Sequence, residues 1–438
     1  MSNKNWRPRI VVYLSIILLL NMAGLWYYIN YFTSNGYLPS PFVYDKSNTF
    51  MDLFNTMYWA YDNGRYTDWG SVYPPFSFII LRLINFLFAG EGHTSAALMR
   101  DNSPFVIAGF CLIYLATPAI ILKSKYWREF LQNEKILIYF AIIFSTPMLF
   151  ALERGNIIML CPVILALVLS KIGFVRCLNI ALLINIKPYF ALLIIYYIAR
   201  KNWKGFVTSA VLSGLIFVVS GFILDSHFFV FFENLLGFSQ SKVIFYSKGV
   251  MALPSSVSSF SYVLNKHDGE NIISSFLTKD MGSIIAYIIE TTKWVVIAIS
   301  MASLFIRSKV MRDSEIFTLL IIAITNLGVW VGGYSFIFYI VLIPVLIKLR
   351  ENWLYIGLLS IIAMPLDFIP IMTSYIGQQD SYLSHSYVDV QWSLGLGNVI
   401  RPVANLALLL MLSCEFITRK NISDNTVHLK VGLSFFKK

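Results

Sequence analysis

The sequence is poor in charged residues, and this excludes several classes of protein. Only 13% of its 438 residues are Asp, Glu, Lys or Arg, whereas 57% are hydrophobic and 16% are aromatic. A soluble domain carries about 25% charged residues, so a soluble enzyme, a disordered chain and a collagen-like fibre are excluded. Long apolar runs recur along the whole sequence, which is typical of an all-α polytopic membrane protein. The runs are continuous rather than alternating, which argues against a β-barrel.

Cysteine and histidine are also scarce. The four cysteines all lie inside apolar runs, where they are expected to be small buried side chains rather than a disulfide framework. The five histidines are far apart and show no spacing typical of metal ligands. We therefore expect no metal site and no cofactor.

The Lys and Arg residues are unevenly distributed, and this predicts the topology. A net charge of +11 would suggest a nucleic-acid partner for a soluble protein. In a membrane protein, however, basic residues collect in cytoplasmic loops. The polar regions 30–103 and 225–282 hold only 8 of the 34 Lys and Arg residues. We expect one integral membrane domain over 1–438, with both termini cytoplasmic, both long loops outside and no nucleic-acid partner.

Two segments do not fit a simple count of crossings. Segment 74–90 is short and carries Arg82, so we interpret it as an interfacial or re-entrant helix of the first outer region. Segment 177–199 has the length of one span, yet basic residues flank both of its ends. Pro188 cannot continue a helical hydrogen-bond ladder, so we expect two half-length helices that meet at Lys187-Pro188, with Lys187 facing an outward cavity. A single kinked span with a snorkelling Lys187 is the alternative. The expected total is about twelve passes.

The first outer region is rich in carboxylates. Asp52 opens a stretch with helical apolar spacing, and two interpretations stand beside each other. Asp52 is either an N-terminal helix cap or a general base at the outer rim of an apolar cleft. Asp45 is the second candidate for the base. Asp62 precedes Asn63-Gly64 and is typical of a turn.

Cations near the outer face are candidates for substrate binding. Arg154 and Asn156 form either a surface turn with a weak ion pair or a site for phosphate or hydroxyl groups. Lys187 is an intramembrane cation, and such residues are functional candidates by default. Arg401, near the outer start of the last apolar run, is either an interface anchor or a further cation of the site.

Two further residues complete the candidate set for substrate binding. Tyr334 lies in Gly332-Gly333-Tyr334-Ser335, which is either a tight turn between helices or part of the site. His267 lies in the second outer loop, which is either solvated or a cap over the cleft. Aromatic faces suit sugar rings, and cations suit a lipid-linked phosphate. The sequence has no cytoplasmic Gly-rich nucleotide loop, which argues against a nucleotide-sugar donor.

Four segments of the sequence resemble a known family. The sequence is similar to the first outer loop of glycosyltransferase family 87 over one run, from Asp52-Leu53-Phe54-Asn55 through Gly64-x-Tyr66 to Val72-Tyr73-Pro74-Pro75-Phe76. The order and spacing of Arg154-Gly155-Asn156, Lys187-Pro188-Tyr189 and Arg401-Pro402 resemble that family as well. One departure concerns Glu153-Arg154-Gly155-Asn156, where the family's turn often reads Gly-Gln-x-Asn.

The resemblance implies a fold and a chemistry. It implies a GT-C-like bundle of transmembrane helices that uses a polyprenyl-phosphate sugar as donor, with no metal and with inversion at the anomeric carbon. An acidic residue of the first loop would deprotonate the acceptor hydroxyl, and by position this is Asp52, with Asp45 second. Cations such as Lys187, Arg154 or Arg401 would stabilise the departing phosphate, beside Tyr73. The polyprenyl tail would lie in a groove between helices.

The expected function is transfer of mannose or glucose to a glycan or lipid-linked glycan at the outer face of a bacterial inner membrane. A lipid-glycan carrier or secondary transporter is the alternative. An O-antigen polymerase or ligase is a third possibility. That class typically has a late outer loop rich in Arg, whereas segment 373–397 contains no Lys or Arg.

Overall fold

Helices make up most of the chain in the computed structural model, as the apolar runs predict. The structure describes residues 7–419 apart from 91, 93, 225–226, 241–245, 248–249, 252, 261–278, 329–330, 350–351 and 385. The α-helices are α1 (Arg7–Asn35), α2 (Met51–Tyr61), α3 (Pro75–Leu87), α4 (Ala96–Asp101), α5 (Pro104–Lys123), α6 (Gln132–Ile143), α7 (Thr146–Arg154), α8 (Cys161–Ser170), α9 (Gly173–Ile186), α10 (Ile195–Ala199), α11 (Trp203–Leu224), α12 (Val230–Gln240), α13 (Lys279–Arg307), α14 (Asp313–Asn326), α15 (Ile343–Leu346), α16 (Asn352–Ala363) and α17 (Leu396–Thr418).

Within the described residues, five helices are long and apolar enough to cross a membrane. They lie in α1, α5, α11, α13 and α17, and the pair α6–α7, bent by 53°, makes a sixth if it is one span. Several other apolar helices have only 10–17 residues. The chain is thus a multi-pass membrane protein, but the expected count of about twelve passes is not confirmed.

The break at Lys187-Pro188 is confirmed. Helix α9 ends at Ile186, Lys187 is extended, and a 3-10 helix (Pro188–Ile194) leads into α10. The two halves fold back on each other, because Arg176 Nη1 at the start of α9 donates to the Tyr196 hydroxyl in α10 at 2.6 Å. The hairpin therefore places Lys187 at its tip, and the single kinked span is excluded.

A second hairpin has the same design. Helix α14 is followed by a 3-10 helix over Gly333–Val341, and the Thr325 and Tyr339 hydroxyls lie 2.6 Å apart across the two arms. Its tip carries Tyr334. A third turn joins α7 to α8 at Gly155, whose φ of +67° is the left-handed conformation that favours glycine. Its neighbours Arg154 and Asn156 are therefore also at a tip.

The basic linkers meet at the opposite end of these hairpins. Asp313 accepts hydrogen bonds from Arg176 Nη1 and Arg200 Nη2, both at 2.8 Å. Lys348 Nζ contacts Glu129 Oε1 at 2.9 Å, and Arg419 Nη1 contacts Glu315 Oε2 at 3.0 Å. These contacts involve five linkers and the start of the tail, and Glu129, Arg312 and Lys348 line one pocket. The described residues of these linkers therefore share one end of the protein, which we call the basic end.

The first outer region is an ordered layer at the tip end. Helix α2 packs on α3, which occupies Pro75–Leu87 inside the predicted segment 74–90. The Ser77 hydroxyl of α3 contacts the carbonyl oxygens of Asn185 and Ile186 at 3.1 and 3.0 Å. Helix α3 thereby fixes the residues just before Lys187.

The prediction of an all-α fold is wrong in one respect. Besides the short strands β1 (Tyr246–Ser247) and β2 (Val250–Met251), the chain forms a long antiparallel hairpin of β3 (Pro370–Asp380) and β4 (Tyr387–Gly395). The hairpin covers the first outer region, where Tyr37 donates its hydroxyl to the Gln391 carbonyl at 3.1 Å. Alternation of apolar and polar residues in Tyr387-Val-Asp-Val-Gln-Trp was the signal for a strand.

Candidate functional site

The carboxylate of Asp52 is held by the turn between α7 and α8. Oδ1 accepts from Arg154 Nη2 at 2.6 Å and from Arg154 Nε at 3.2 Å. Oδ2 accepts from Asn156 Nδ2 at 2.8 Å. Both contacts connect residues more than a hundred positions apart, and the Asp52 side chain remains 19% exposed. The carboxylate is therefore oriented by the protein and remains partly accessible to solvent.

Asp52 is not a helix cap. The N-cap of α2 is Phe50, in the left-handed conformation, and its amide donates to the Glu153 carbonyl at 2.8 Å. Asp52 lies in the first helical turn, and its side chain points to the α7–α8 turn instead of to the helix amides. Of the two interpretations that the sequence allowed, the cap is excluded.

Arg154 is occupied by protein groups. Besides Asp52, its Nη1 donates to the Asn48 carbonyl at 3.0 Å and lies 3.9 Å from Glu153 Oε1. Each of the three guanidinium nitrogens of Arg154 thus donates to a protein oxygen, while its expected contact with a phosphate stays a prediction. Arg154 fixes the charge and direction of the Asp52 carboxylate.

The turn that carries Arg154 is sterically restricted. A Cβ on Gly155 would lie 2.9 Å from Leu53 Cβ and 3.0 Å from Phe50 Cδ1. The turn thus approaches the start of α2 as closely as a glycine permits. This contact explains how Arg154 reaches Asp52.

Lys187 is the second cation near this cluster, and its charge is not neutralised by a carboxylate of the described residues. It is 8% exposed, and its Nζ lies 4.0 Å from the centre of the Tyr73 ring. No ion pair to Lys187 occurs within the described ranges, where its ammonium makes a cation–π contact with Tyr73 and interacts electrostatically with Cys161 and Tyr334. A buried ammonium without a carboxylate is costly unless an anion is bound. This makes Lys187 the natural partner of an incoming anion.

Tyr73 connects Lys187 to the Asp52 cluster. The Tyr73 hydroxyl is hydrogen-bonded by Asn156, the same side chain that holds Asp52 Oδ2. Burial raises the pKa of Tyr73 well above its ordinary value, and the nearby charge of Asp52 acts in the same direction. Tyr73 therefore stays protonated at neutral pH and cannot serve as the base.

Two further tyrosines, on the hairpin tips, lie close to Tyr73. Tyr334 is buried, stacks on Phe150 with ring centres 6.1 Å apart, and lies within electrostatic reach of Asp52, Lys187 and Tyr73. The Tyr189 hydroxyl is buried and has no hydrogen-bond partner among the residues that the structure describes. Sequence reasoning missed Tyr189 as a site residue, although its position beside the Lys187-Pro188 break was a signal.

Three predicted site residues lie elsewhere or cannot be placed. Asp45 caps a short 3-10 helix, accepting from the Ser47 amide at 2.8 Å, so it behaves as a structural cap. Arg401 is fully buried and contacts Asp367 through two nitrogens at 2.7 and 2.5 Å. His267 lies outside the described residues. The structure thus joins Asp52, Tyr73, Arg154, Asn156, Lys187 and Tyr334, and leaves Asp45 and Arg401 apart.

The arrangement suits displacement of an anionic leaving group. One carboxylate is fixed at the rim, one buried ammonium lies deeper, and aromatic rings separate them. Each carboxylate oxygen offers two acceptor positions, so Oδ2 can accept one more proton donor besides Asn156.

The match to known families decides the class. A model of glycosyltransferase family 87 matches residues 72–331, which is more than half of the chain. The chain belongs to glycosyltransferase family 87. The matched range contains Tyr73, Arg154, Asn156 and Lys187, whereas Asp52 precedes it. Neither the curated proteins nor the solved structures include a match.

Membership of family 87 makes this protein a membrane glycosyltransferase with a sugar donor and an acceptor as substrates. This also removes the reason for the carrier or transporter alternative.

Proposed function

We propose that this glycosyltransferase moves a hexose, mannose or glucose, from a polyprenyl-phosphate sugar to a glycan or lipid-linked glycan at the outer face of a bacterial inner membrane. The observation that carries the proposal is the pairing at one site of an oriented carboxylate with a buried cation that lacks an ion-pair partner among the described residues. The carboxylate accepts the proton of the acceptor hydroxyl, and the cation binds the donor phosphate.

Asp52 is the general base of the proposed reaction. Its Oδ2 takes the proton of the acceptor hydroxyl while that oxygen forms a bond to the anomeric carbon. The bond between the anomeric carbon and the phosphate oxygen breaks, and the polyprenyl phosphate leaves with the electron pair. A single displacement of this kind inverts the configuration at the anomeric carbon and requires no metal.

Lys187 stabilises the charge that develops on the phosphate. Its ammonium lies in a buried position, where an electrostatic interaction is stronger than in water. The Tyr189 hydroxyl, buried and without a partner among the described residues, can donate to the same phosphate. Arg154 and Asn156 are positioning residues, because they act through Asp52.

An apolar groove supports a lipid-linked donor. It is lined by residues of α1, α6, α7 and α16 and by the 336–347 segment, among them Met148, Phe336 and Ile362. Met148 is two residues from Phe150, which stacks on Tyr334 of the site. A polyprenyl chain in this groove would bring its phosphate toward the hairpin tips.

The proposal is tested by transfer assays in membranes with radiolabelled polyprenyl-phosphate mannose and glucose and a surface-glycan extract as acceptor. Asp52→Asn is expected to lower transfer by about 10²-fold or more, the usual contribution of a general base. Asp45→Asn is the matched control, since it removes the same charge from the same loop, and it is expected to keep transfer within about 2-fold.

The folded state of each variant is checked by its melting temperature in detergent. A folded Asp52→Asn protein that transfers as fast as the wild type would show that Asp52 is not the base. Absence of transfer from both donors by the wild type would contradict the assigned donor.

A further inference from the structure

A row of side chains on α2 leads from Asp52 away from the catalytic cluster. Asn55 and Trp59 follow Asp52 at i+3 and i+7, which is the spacing of one helix face, and Asp62 is the C-cap residue just beyond the helix. All four are partly exposed. The opposite face of the helix is fully buried and consists of Leu53, Phe54, Met57 and Ala60.

The row ends at a group of aromatic rings, one exposed and two partly buried, which we call the aromatic shelf. It consists of Tyr58, Trp59 and Trp69. The rings of Trp59 and Trp69 stack with centres 6.1 Å apart and an interplanar angle of 24°, and Tyr58 meets Trp69 edge-on at 5.9 Å. Trp69 is 47% exposed, which is a large apolar area to leave in water.

The shelf is held in place by hydrogen bonds. Trp69 Nε1 donates to Asp62 Oδ2 at 2.9 Å, and the other oxygen of Asp62 accepts from the Gly64 amide at 2.8 Å. The Trp69 amide also donates to the Gly64 carbonyl at 3.1 Å. The polar edge of the indole is therefore satisfied inside the protein, while part of the ring surface stays open.

The shelf lies at a useful distance from Asp52. Seven residues of α-helix separate Asp52 from Trp59, which corresponds to about 10 Å along the helix axis, roughly the length of two linked sugar rings. Asn55 lies between them and is partly exposed. Polar groups near the shelf include the carboxylates of Asp62 and the exposed Asp68.

We propose that the aromatic shelf binds the acceptor glycan, one or two sugar rings away from the ring whose hydroxyl faces Asp52. The inference rests on the proposed glycosyl transfer and adds the acceptor's binding surface to it. The apolar C–H faces of sugar rings pack on aromatic rings, while amide and carboxylate groups such as Asn55 and Asp62 bind sugar hydroxyls. The shelf thus makes the enzyme prefer an oligosaccharide acceptor to a single sugar.

Contact with lipid headgroups is the competing use of exposed Trp and Tyr residues. Two observations favour a glycan. The shelf continues the row that begins at the Asp52 carboxylate. Of the charges around it, the carboxylates of Asp62 and Asp68 are at least partly exposed, whereas Arg65 is fully buried and Arg82 donates to the Ala60 carbonyl, so the exposed carboxylates disfavour an anionic lipid surface.

The test measures sugar binding directly, with the full-length protein in nanodiscs and without donor. The probes are the tetrasaccharides of mannose, glucose and galactose, each compared with its monosaccharide by saturation-transfer NMR titration. Trp69→Ala is expected to raise the dissociation constant of the tetrasaccharide that binds by about 3- to 10-fold, the value of one aromatic contact. The monosaccharide should be unaffected.

Two control variants separate the shelf from general effects. Trp69→Phe keeps a ring and is expected to stay within about 2-fold of wild type. Trp26→Ala removes a tryptophan of α1 that is 69% exposed and not part of the shelf, and it should leave binding unchanged.

The proposal is overturned if none of the tetrasaccharides binds the wild type at millimolar concentration, or if Trp69→Ala weakens tetrasaccharide and monosaccharide equally. Unchanged tetrasaccharide binding by Trp69→Ala would also overturn it and would favour a lipid contact. Because the assay requires no turnover, its outcome is independent of whether Asp52 is the base or polyprenyl phosphate the carrier.

Discussion

The two cations of the site differ in what they contact, and this gives them different roles. Arg154 donates to Asp52 and to the Asn48 carbonyl, whereas Lys187 forms no ion pair with a described residue and lies over the Tyr73 ring. The family resemblance implied a phosphate contact for either cation, and the sequence also allowed a surface turn for Arg154. The kinetic consequences of removing them should therefore differ.

Arg154→Lys keeps the charge but loses the two-nitrogen contact to Asp52 Oδ1. A charge-assisted hydrogen bond contributes about 1.5–3 kcal/mol, so kcat is expected to fall by about 10- to 100-fold. The KM for the polyprenyl-phosphate donor should change by less than about 3-fold. Steady-state kinetics in membranes measure both. A large rise of the donor KM with an unchanged kcat would instead place Arg154 on the phosphate.

Lys187→Met removes the ammonium and keeps an unbranched side chain of similar length. The donor phosphate then loses its proposed counter-charge, so we expect the KM for the donor to rise by about 10-fold or more and kcat to fall as well. Lys187→Arg is the control that retains charge. A Lys187→Met enzyme with wild-type donor kinetics would remove Lys187 from the proposed mechanism.

At the scale of the elements, the sequence predicted where a helix breaks, but it did not predict that the turns at such breaks lie next to one another. Pro188 predicted the end of α9, because proline has no amide hydrogen and its ring clashes with the preceding helical turn. Asp52 was recognised as a candidate, but its partners Arg154 and Asn156 lie more than a hundred residues away. No spacing rule relates the tips of three separate turns, so their convergence required the structure.

The β3–β4 hairpin escaped prediction for a different reason. Its residues lie next to long apolar helices, and the region was considered only as a loop without Lys or Arg. Alternation over Tyr387-Val-Asp-Val-Gln-Trp was present, but the hairpin also depends on a contact distant in sequence, from the Tyr37 hydroxyl to the Gln391 carbonyl of β4. Propensity is weak where such tertiary contacts decide the outcome.

The buried ion pair between Asp367 and Arg401 ties the start of this hairpin to α17. Both side chains are fully buried, and Arg401 also donates to the carbonyls of Ile362 and Met364. Asp367→Ala leaves a buried guanidinium without its counter-charge, and we expect a loss of about 3–5 kcal/mol in the free energy of unfolding. Denaturant titration in detergent measures this loss.

Asp380→Ala, at the exposed far end of β3, is the matched control and should cost less than about 0.5 kcal/mol. If Asp367→Ala unfolds like the wild type but raises the KM for the donor, Arg401 belongs to the substrate site, as the sequence suggested.

For the whole molecule, the contacts at the basic end make stability depend on pH. Partial burial would raise the pKa of Asp313, but hydrogen bonds from Arg176 and Tyr196 and the charges of Arg176 and Arg200 outweigh it and lower that pKa below its ordinary value of 3.8. A carboxylate with a lowered pKa contributes stability that is complete above the ordinary value and is lost as the pH falls through the folded-state value.

The melting temperature in detergent should therefore fall as the pH is lowered below 3.8, the ordinary value for Asp313, through protonation of this carboxylate. Asp313→Asn should lower the melting temperature at pH 7 and make it less sensitive to acid over that range. An acid response of the variant that equals the wild-type response would assign the loss to other groups.

The ion pair of Asp52 with Arg154 also has a consequence for biogenesis. Asp52 is synthesised first, its partners Arg154 and Asn156 follow about a hundred residues later, and Tyr334 is made later still. A ribosome-bound chain that ends before the second hairpin therefore lacks part of the cluster around the Asp52 carboxylate. The complete cluster assembles only after the residues up to Tyr334 have been synthesised.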